Sequence, residues 1–356
     1  MTKKRVLLGM SGGVDSSVSA ALLKQQGYDV IGITLQLLPK EKEHDSSCCN
    51  LDSITDAKRV ANHIGIPHYT VNIRDDFKHH VMDYFVNEYM LGRTPNPCVE
   101  CNRFIKFDAL HQKAKELGAD FVATGHYVIR HQDEEKNAYY LQKAKDPTKD
   151  QSYFLYMMSS EDLSKTLFPL GGYLKSEIRE IAKDLGLINA SKSDSQDICF
   201  VSKGNYNSFI EDYLGTKPKP GDIVDMEGNV LSQHTGIYNY TIGQKRGLNL
   251  KLPYPLYVIK IDAKNNRIVV GEQDELESST IHLNTFTLTN PNEVTEGREF
   301  DIKTRYQMTP FKAKIVSIDG DTAIVEANSP QHCTTPGQSC VIYDGDTIIG
   351  GGIIEK

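Results

Sequence analysis

The sequence predicts an α/β protein: a parallel sheet with helices on both faces, followed by antiparallel β structure that closes as a small barrel or sandwich. Three observations point there. Over residues 1–205, short β-branched runs alternate with segments of helical periodicity. The Pro/Gly-rich stretch at 215–222 (GTKPKPGD) then reads as a linker or loop. Beyond it come short strands separated by turn signals.

Taken in order, residues 6–9 read as a buried strand. A helix follows, with Val14, Val18, Ala21 and Leu22 on one face and Gly27 placed as its stop. Residues 30–35 form the next strand, 53–64 a helix and 69–73 a third strand. Phe77, Val81, Tyr84 and Phe85 mark another helix, as do Ile105, Ala109, Leu110, Ala114 and Leu117 before Gly118. Residues 121–124 are a strand, and Leu174, Ile178, Ile181 and Leu185 keep helical spacing up to Gly186. In the C-terminal part, strands are expected at 257–261, 267–270, 300–305, 312–318, 322–326, 339–343 and 347–354. Asp319-Gly320 and Asp344-Gly345 serve as hairpin turns.

Composition bounds the function. At about 150 residues per domain, 356 residues make two or three domains. The chain is 39% hydrophobic with 27 Gly, ordinary for a folded protein. The uncharged run at 30–39 is too short to span a membrane, and the MTKKRVLLGM start has too short an apolar run for a signal peptide. A cytoplasmic location is the expectation. Seven Cys are too few for a disulfide scaffold, and an odd number at that. A net charge of −7 argues against non-specific coating of nucleic acid but leaves room for a local basic patch.

The string Gly9-Met10-Ser11-Gly12-Gly13-Val14-Asp15-Ser16-Ser17 closes the first strand and opens the first helix. Adjacent glycines admit a ligand close to the backbone, and the helix N-terminus with its serine hydroxyls suits phosphate. No P-loop lysine motif is present. The string instead resembles the PP-loop of the ATP pyrophosphatases, which implies cleavage of ATP between its α and β phosphates. Thr124-Gly125-His126-Tyr127 follows a buried strand, where its backbone can approach adenine or ribose.

Cys98 and Cys101 lie in a Pro-rich loop feeding a helix near Ile105, so a thiol there, with Arg103 and Lys106 nearby, is expected to favour its thiolate. Cys199 stands in a polar stretch after the 174–185 helix. A structural zinc site, an iron–sulfur cluster on Cys98, Cys101 and Cys199, and paired sulfur-carrying thiols are the three chemistries open to them; the last is preferred. Cys48-Cys49 has no assigned role, and Cys333 and Cys340 read as packing or surface thiols.

Eight motifs in order resemble those of the tRNA-specific 2-thiouridylase family (MnmA), over essentially the whole chain. They are GMSGGVDS at 9–16, GRTPNPxxxCN at 92–102, TGHY at 124–127, KDQSYFL at 149–155, DSQDICF at 194–200, YTIGQKRG at 240–247, RY at 305–306 and TPGQS at 335–339. The resemblance implies three domains: a PP-loop (adenine nucleotide α-hydrolase-like) catalytic domain at 1–205, a central tRNA-contacting domain at 206–280 and a C-terminal antiparallel β-barrel at 281–356. It implies ATP with Mg2+, and the wobble uridine of the tRNAs for Lys, Glu and Gln as substrate. A cysteine desulfurase or sulfur-relay protein would be the persulfide donor. By motif, residues 9–16, Leu35 and Gly125 fall at the ATP site. Cys199 falls at the persulfide carrier and Cys101 at the second, nucleophilic thiol. Asn96, Pro97 and Cys98 fall at the target base; His126, Lys149, Asp150, Gln151, Arg305, Tyr306 and Gln338 fall at tRNA contacts. The chain departs from the family at Cys98, where many members carry Asp, and at Leu35, where Met is common. The basic surface expected for tRNA is a +4 cluster at 303–314 (Lys303, Arg305, Lys312, Lys314) and a +3 cluster of Lys245, Arg246 and Lys251. The competing readings are another PP-loop activity, such as amide formation, and an RNA-binding or metal-sensing protein with a degenerate nucleotide fold.

Overall fold

The computed structural model describes residues 3–38, 51–194, 198–201, 205–250, 252–289, 294, 297–332 and 334–355. Cys48, Cys49, Lys251 and Cys333 lie outside them, as do residues 195–197 of the DSQDICF motif. The chain divides into two compact units. One comprises residues 1–82, 98–204 and 346–349; the other comprises 83–97, 205–345 and 350–356.

The first unit is built on a five-stranded sheet. Its elements are β1 (Arg5–Gly9), α1 (Val14–Gln25), β2 (Asp29–Gln36), α2 (Leu51–Ile64), β3 (His68–Asn72), and later β4 (Phe121–Ala123) and β7 (Thr166–Leu167). The order is β3-β2-β1-β4-β7 and the pairings are parallel. Val6, Leu7 and Leu8 of the central strand are wholly buried because both faces are covered. Val6 and Leu8 face α1 and α2, whereas Leu7 faces Leu110 and Ala114 of a later helix. Burying each such side chain contributes about 1.5–3 kcal/mol. Helix α1 ends where Gly27 takes a φ of +91°. The chain runs from β1 out to β2 and β3 on one side and returns to β4 on the other. The carboxyl ends of β1 and β4 therefore flank the topological switch point, where such sheets bind ligands.

Residues 74–90 follow β3 as α3 (Arg74–Phe77), a π-helical stretch (Lys78–Asp83) and α4 (Tyr84–Met90). Residues 97–116 repeat that plan: α5 (Pro97–Glu100), a π-helical stretch (Cys101–Phe107) and α6 (Asp108–Glu116). A hairpin of β5 (Ile129–Asp133) and β6 (Ala138–Gln142) follows β4; no turn dipeptide announces it in the sequence. Helices α7 (Ser160–Ser164) and α8 (Lys175–Asp184) complete this unit. No helix among the described residues is long and apolar enough to cross a membrane.

In the second unit, α9 (Tyr206–Leu214) stacks Tyr206 on Tyr89 and sets Phe209 edge-on to Phe85, while Tyr213 donates to Asp83. The stretch read as a loop at 215–222 is shorter than expected. Gly215 caps α9 in the left-handed region, and β8 (Gly221–Val224) already begins at Gly221. Strand β8 pairs with β9 (Val230–His234) and, in parallel, with β11 (Arg267–Gly271), which pairs with β10 (Tyr257–Asp262). This sheet is therefore mixed, not purely antiparallel.

The C-terminal strands close into a barrel. Its order is β12 (Glu277–Leu288), β15 (Thr322–His332), β14 (Phe311–Asp319), β13 (Glu299–Lys303), β16 (Ser339–Asp344) and β17 (Thr347–Ile354). Strand β12 was not expected. It pairs with β15 through Leu283 and with β17 from Leu283 to Leu288. A bulge between Asn284 and Thr287, with Thr285 at φ +49°, bends it from one neighbour to the other. That bend makes the barrel, rather than the sandwich, the outcome.

Candidate active site

The phosphate-binding candidates sit at the switch point. Met10 continues from β1 and is pinned by its amide to the Ile33 carbonyl and by its own carbonyl to Thr34 Oγ1 (2.8 and 2.7 Å). Ser11, Gly12 and Gly13 form the turn, and Val14, Asp15 and Ser16 start α1. Gly12 holds φ +72°, and a Cβ there would lie 2.1 Å from the Ser53 carbonyl oxygen, so only glycine fits. Ser16 Oγ accepts from the Ser11 amide at 3.2 Å, and Ser17 Oγ donates to the Gly13 carbonyl at 2.8 Å. Gly125 follows β4, and a Cβ on it would lie 2.9 Å from the Ser16 amide nitrogen. Two backbone segments thus pack directly together at the N-terminus of α1, whose unpaired first-turn amides suit a phosphate. Leu35, half-buried near the end of β2, packs beside Leu7 and Ile33.

Around this cradle the fold adds residues that the motifs did not single out. Asn189 Nδ2 donates to the Gly12 carbonyl (3.0 Å) and to Ser17 Oγ (2.9 Å). Lys192 Nζ reaches the same carbonyl (3.4 Å) and pairs with Asp56 (2.9 Å). Asp15 accepts from Tyr127 Oη (2.7 Å) and from Lys175 Nζ (2.7 and 2.8 Å). Lys175, 8% exposed, also bonds Asp194 at 2.9 Å, and Asp194 in turn takes Lys149 (2.7 Å) and Arg179 (2.9 Å). Burial opposes the charge on Asp194, but hydrogen bonds from Lys149 and Lys175 outweigh it and lower its pKa. Burial and the Asp15 charge push the Tyr127 phenol up, so it stays a donor. A cation opening a helix at Lys175, against the helix dipole, is the one sequence signal that would have flagged this network.

The tRNA-contact candidates of the first unit have internal partners. Gln151 Oε1 accepts from the Tyr127 amide (2.9 Å), and Asp150 accepts from the Ala144 and Ser152 amides. His126 is 8% exposed with Nδ1 2.8 Å from Thr124 Oγ1, and burial with the nearby Lys106 charge drives its pKa well down, so the ring is neutral.

The thiols correct one expectation. Cys101 does not precede a helix; it begins the π-helical stretch inside a continuous helical run and is 6% exposed. Burial pushes its pKa up to about 11, more than the Lys106 charge pulls it down, and Cys98 adds to the rise. The exposed thiol at the helix start is Cys98. Burial likewise raises Cys340, to about 12, consistent with a packing thiol. Cys199 is half-buried. Its neighbour Phe200 meets Phe77 edge-on at 5.7 Å, and His80, one turn along, stacks on Phe104 at 5.0 Å. The segments bearing Cys199 and Cys101 thus pack on the same helical stretch. Lys106 acts on both Cys101 and His126, and Phe107 lies 6.0 Å from the His126 ring, which joins the thiol helix to the loop of Gly125. A cavity of about 290 Å3 runs along this helix, lined in part by Asn102, Phe104, Phe107, Phe154 and Asp162. Asn102 Oδ1 is buried there without a hydrogen-bond partner. Among the described residues no three His, Cys, Asp or Glu side chains converge as metal ligands, so Cys98, Cys101 and Cys199 do not form a cluster site as arranged.

In the second unit two sequence motifs meet. Gln338 Nε2 donates to the carbonyls of Thr94 (2.8 Å) and Pro95 (3.3 Å), and the Thr94 amide donates to the Pro336 carbonyl (2.8 Å). The loop carrying Asn96 and Pro97 is therefore held by the TPGQS turn. Arg305 is exposed and donates to Thr335 Oγ1, and Lys303 lies over the Tyr306 ring. The +4 cluster is smaller than counted: Lys312 pairs with Asp301 (3.0 Å) and Lys314 with Glu299 (3.9 Å) across β13 and β14, because the strand register sets acids opposite them.

Three family models match the chain in order: a tRNA methyl transferase HUP domain at residues 4–203, a tRNA methyl transferase PRC-barrel domain at 207–272 and an aminomethyltransferase beta-barrel domain at 278–354. The tRNA-specific 2-thiouridylase MnmA of Acetivibrio thermocellus is 45% identical, covering 100% of both chains. A relative from Caldanaerobacter subterraneus subsp. tengcongensis, tRNA-specific 2-thiouridylase MnmA 1, is 48% identical over 99% of this chain and 98% of its own. One from Clostridium tetani, tRNA-specific 2-thiouridylase MnmA 2, is 48% identical over 99% of both.

Proposed function

The chain belongs to the tRNA-specific 2-thiouridylase family, and from that premise we propose how its residues replace the C2 oxygen of the wobble uridine in the tRNAs for Lys, Glu and Gln with sulfur. The observation that carries the reading is that the thiol helix of Cys101 packs against the loop of Gly125, which itself abuts the phosphate-binding N-terminus of α1. Although the domain descriptions speak of methyl transfer, the full-length relatives carry the thiolation name, and the thiols beside a phosphate cradle agree with them.

A uracil carbonyl oxygen is a poor leaving group. Attack of that oxygen on the α-phosphorus of ATP releases pyrophosphate and turns the oxygen into part of AMP, which leaves readily. The amides at the start of α1 and the Lys192 ammonium face the phosphate charge as it develops. Gly12 and Gly125 let the loops pack directly on Ser53 and on the first turn of α1, which fixes the aim of the amides there. Magnesium bound to the ATP phosphates would neutralise part of their charge during this step. A persulfide on Cys199 then attacks C2, and AMP departs with the oxygen. Cys101 attacks the Cys199 sulfur and releases 2-thiouridine, leaving a Cys101–Cys199 disulfide; in the variant order Cys101 first frees sulfide, which attacks C2. Neutral His126 beside the thiol helix adds no positive charge to the site. Arg305, Tyr306, Gln338, Asn96 and Pro97 in the second unit, with Lys149, Asp150 and Gln151 in the first, hold the tRNA. A cysteine desulfurase or relay protein loads Cys199, in a cytoplasm that keeps the other thiols reduced.

Incubation with unmodified tRNA-Lys, magnesium ATP and a persulfide donor, followed by nucleoside mass spectrometry, tests this. The expected result is 2-thiouridine with the native chain and none with Cys199→Ser. No thiolated base from a folded, ATP-binding chain would overturn it.

A further inference from the structure

We propose that Cys98 is the resolving thiol of the reaction cycle: it converts the Cys101–Cys199 disulfide into a Cys98–Cys101 disulfide that a protein dithiol can reach. The inference rests on the sulfur-transfer reading above and concerns how that site is reset.

The difficulty it answers is access. Cys101 is 6% exposed, so an external reductant cannot approach its sulfur directly, whereas Cys98 is exposed. The two stand three residues apart at the start of one helical run, with Pro97 opening the first turn. Side chains at that spacing share a face, with Cβ atoms about 5–6 Å apart, and a disulfide needs about 3.5–4.5 Å. The required closure is therefore small, and it falls in a first turn whose amides lack partners within the helix. The backbone also changes character at Cys101, where the wider π-helical winding begins. Both residues carry thiols rather than a disulfide in this structure. Their mutual influence is felt at Cys101, whose ionisation Cys98 opposes.

The exchange balances without a further reactant. The Cys98 thiolate attacks Cys101 Sγ; the bond to Cys199 breaks, and its electron pair leaves on Cys199 Sγ. Cys199 is the better-solvated leaving thiolate, because it is half-buried and Cys101 is not. Cys199 is then ready for its next persulfide. A protein dithiol attacks exposed Cys98 Sγ, Cys101 leaves and takes a proton from solvent, and the reductant closes to its own disulfide. Two electrons pass from the dithiol to the cysteine pair.

The test is a single turnover with persulfide-loaded enzyme, quenched in acid with an alkylating reagent and mapped by mass spectrometry. In the native chain the oxidised Cys101 is expected to be linked to Cys98; in Cys98→Ser it is expected to be linked to Cys199. With a thioredoxin-type reductant, later turnovers of Cys98→Ser and Cys98→Ala should slow about tenfold relative to each variant's own first turnover, and a small phosphine should restore the ratio. A native chain that retains only the Cys101–Cys199 link, or variants whose ratio matches the native one, would overturn the inference alone. Absence of thiolated base in the native first turnover would overturn the sulfur-transfer reading with it.

Discussion

At position 12 a methyl group would lie 2.1 Å from the Ser53 carbonyl on a backbone already at φ +72°. Gly12→Ala should therefore cost roughly 1–2 kcal/mol in stability and displace the Gly12 carbonyl from Asn189 and Lys192. Calorimetric titration with ATP should show affinity lowered at least about tenfold, since misplaced anion-binding amides lose their aim. The Gly-Gly pair was legible as a phosphate loop from its place between strand and helix. Its contact with Ser53 was not, because sequence carries no record of which distant carbonyl closes over a turn. The same limit explains Cys101. Basic neighbours suggested an activated thiolate, but burial outweighs them, and burial is a property of the packed helix. Alkylation of Cys101 in the resting protein should accelerate about tenfold per pH unit up to its pKa of about 11, with Cys98 labelled first. Equal labelling of the two thiols at neutral pH would contradict the burial account.

Helix α8 was expected from the spacing of Ile178 and its neighbours, and Gly186 ends it. What periodicity could not disclose is that Lys175 at its start is the buried cation between Asp15 and Asp194. Replacing it with Met leaves two carboxylates facing one another and should cost about 3–5 kcal/mol, read as a lowered urea midpoint. The pH dependence has a definite sign. Asp194 has a folded pKa below its unfolded value, so its contribution is complete above about pH 4. It is lost as pH falls through the lower folded value. Urea midpoints measured from pH 6 down to pH 2 should show that loss below pH 4 in the native chain and a weaker one in Lys149→Met. Two elements escaped the sequence reading, each for its own local reason. Strand β12 alternates normally through Ile281 and Leu283, then shifts parity to Phe286 across its bulge, which breaks the period-two signal. Helix α9 is a short segment whose apolar face is aromatic, set against Phe85 and Tyr89.

The molecule as a whole carries a net charge of −7, so tRNA binding must depend on where its cations are left unmatched. Lys312 and Lys314 are matched by Asp301 and Glu299; Arg305 is exposed and donates to the neutral hydroxyl of Thr335. Arg305→Ala should lower tRNA affinity several-fold and reduce the salt slope by about 1, whereas Lys312→Ala should change both less; filter binding across a salt series checks this. The strand–helix alternation and eight ordered motifs made the architecture and the family readable, because both depend on local pattern. The neutralised lysines were not, because strand register decides which charges face each other. In the proposed reaction ATP activates the uracil oxygen itself. This is tested most directly with tRNA carrying heavy oxygen at C2 of the wobble uridine, followed by mass analysis of the AMP released. One heavy oxygen in the AMP is expected for each 2-thiouridine formed. Thiolation accompanied by unlabelled AMP would contradict it.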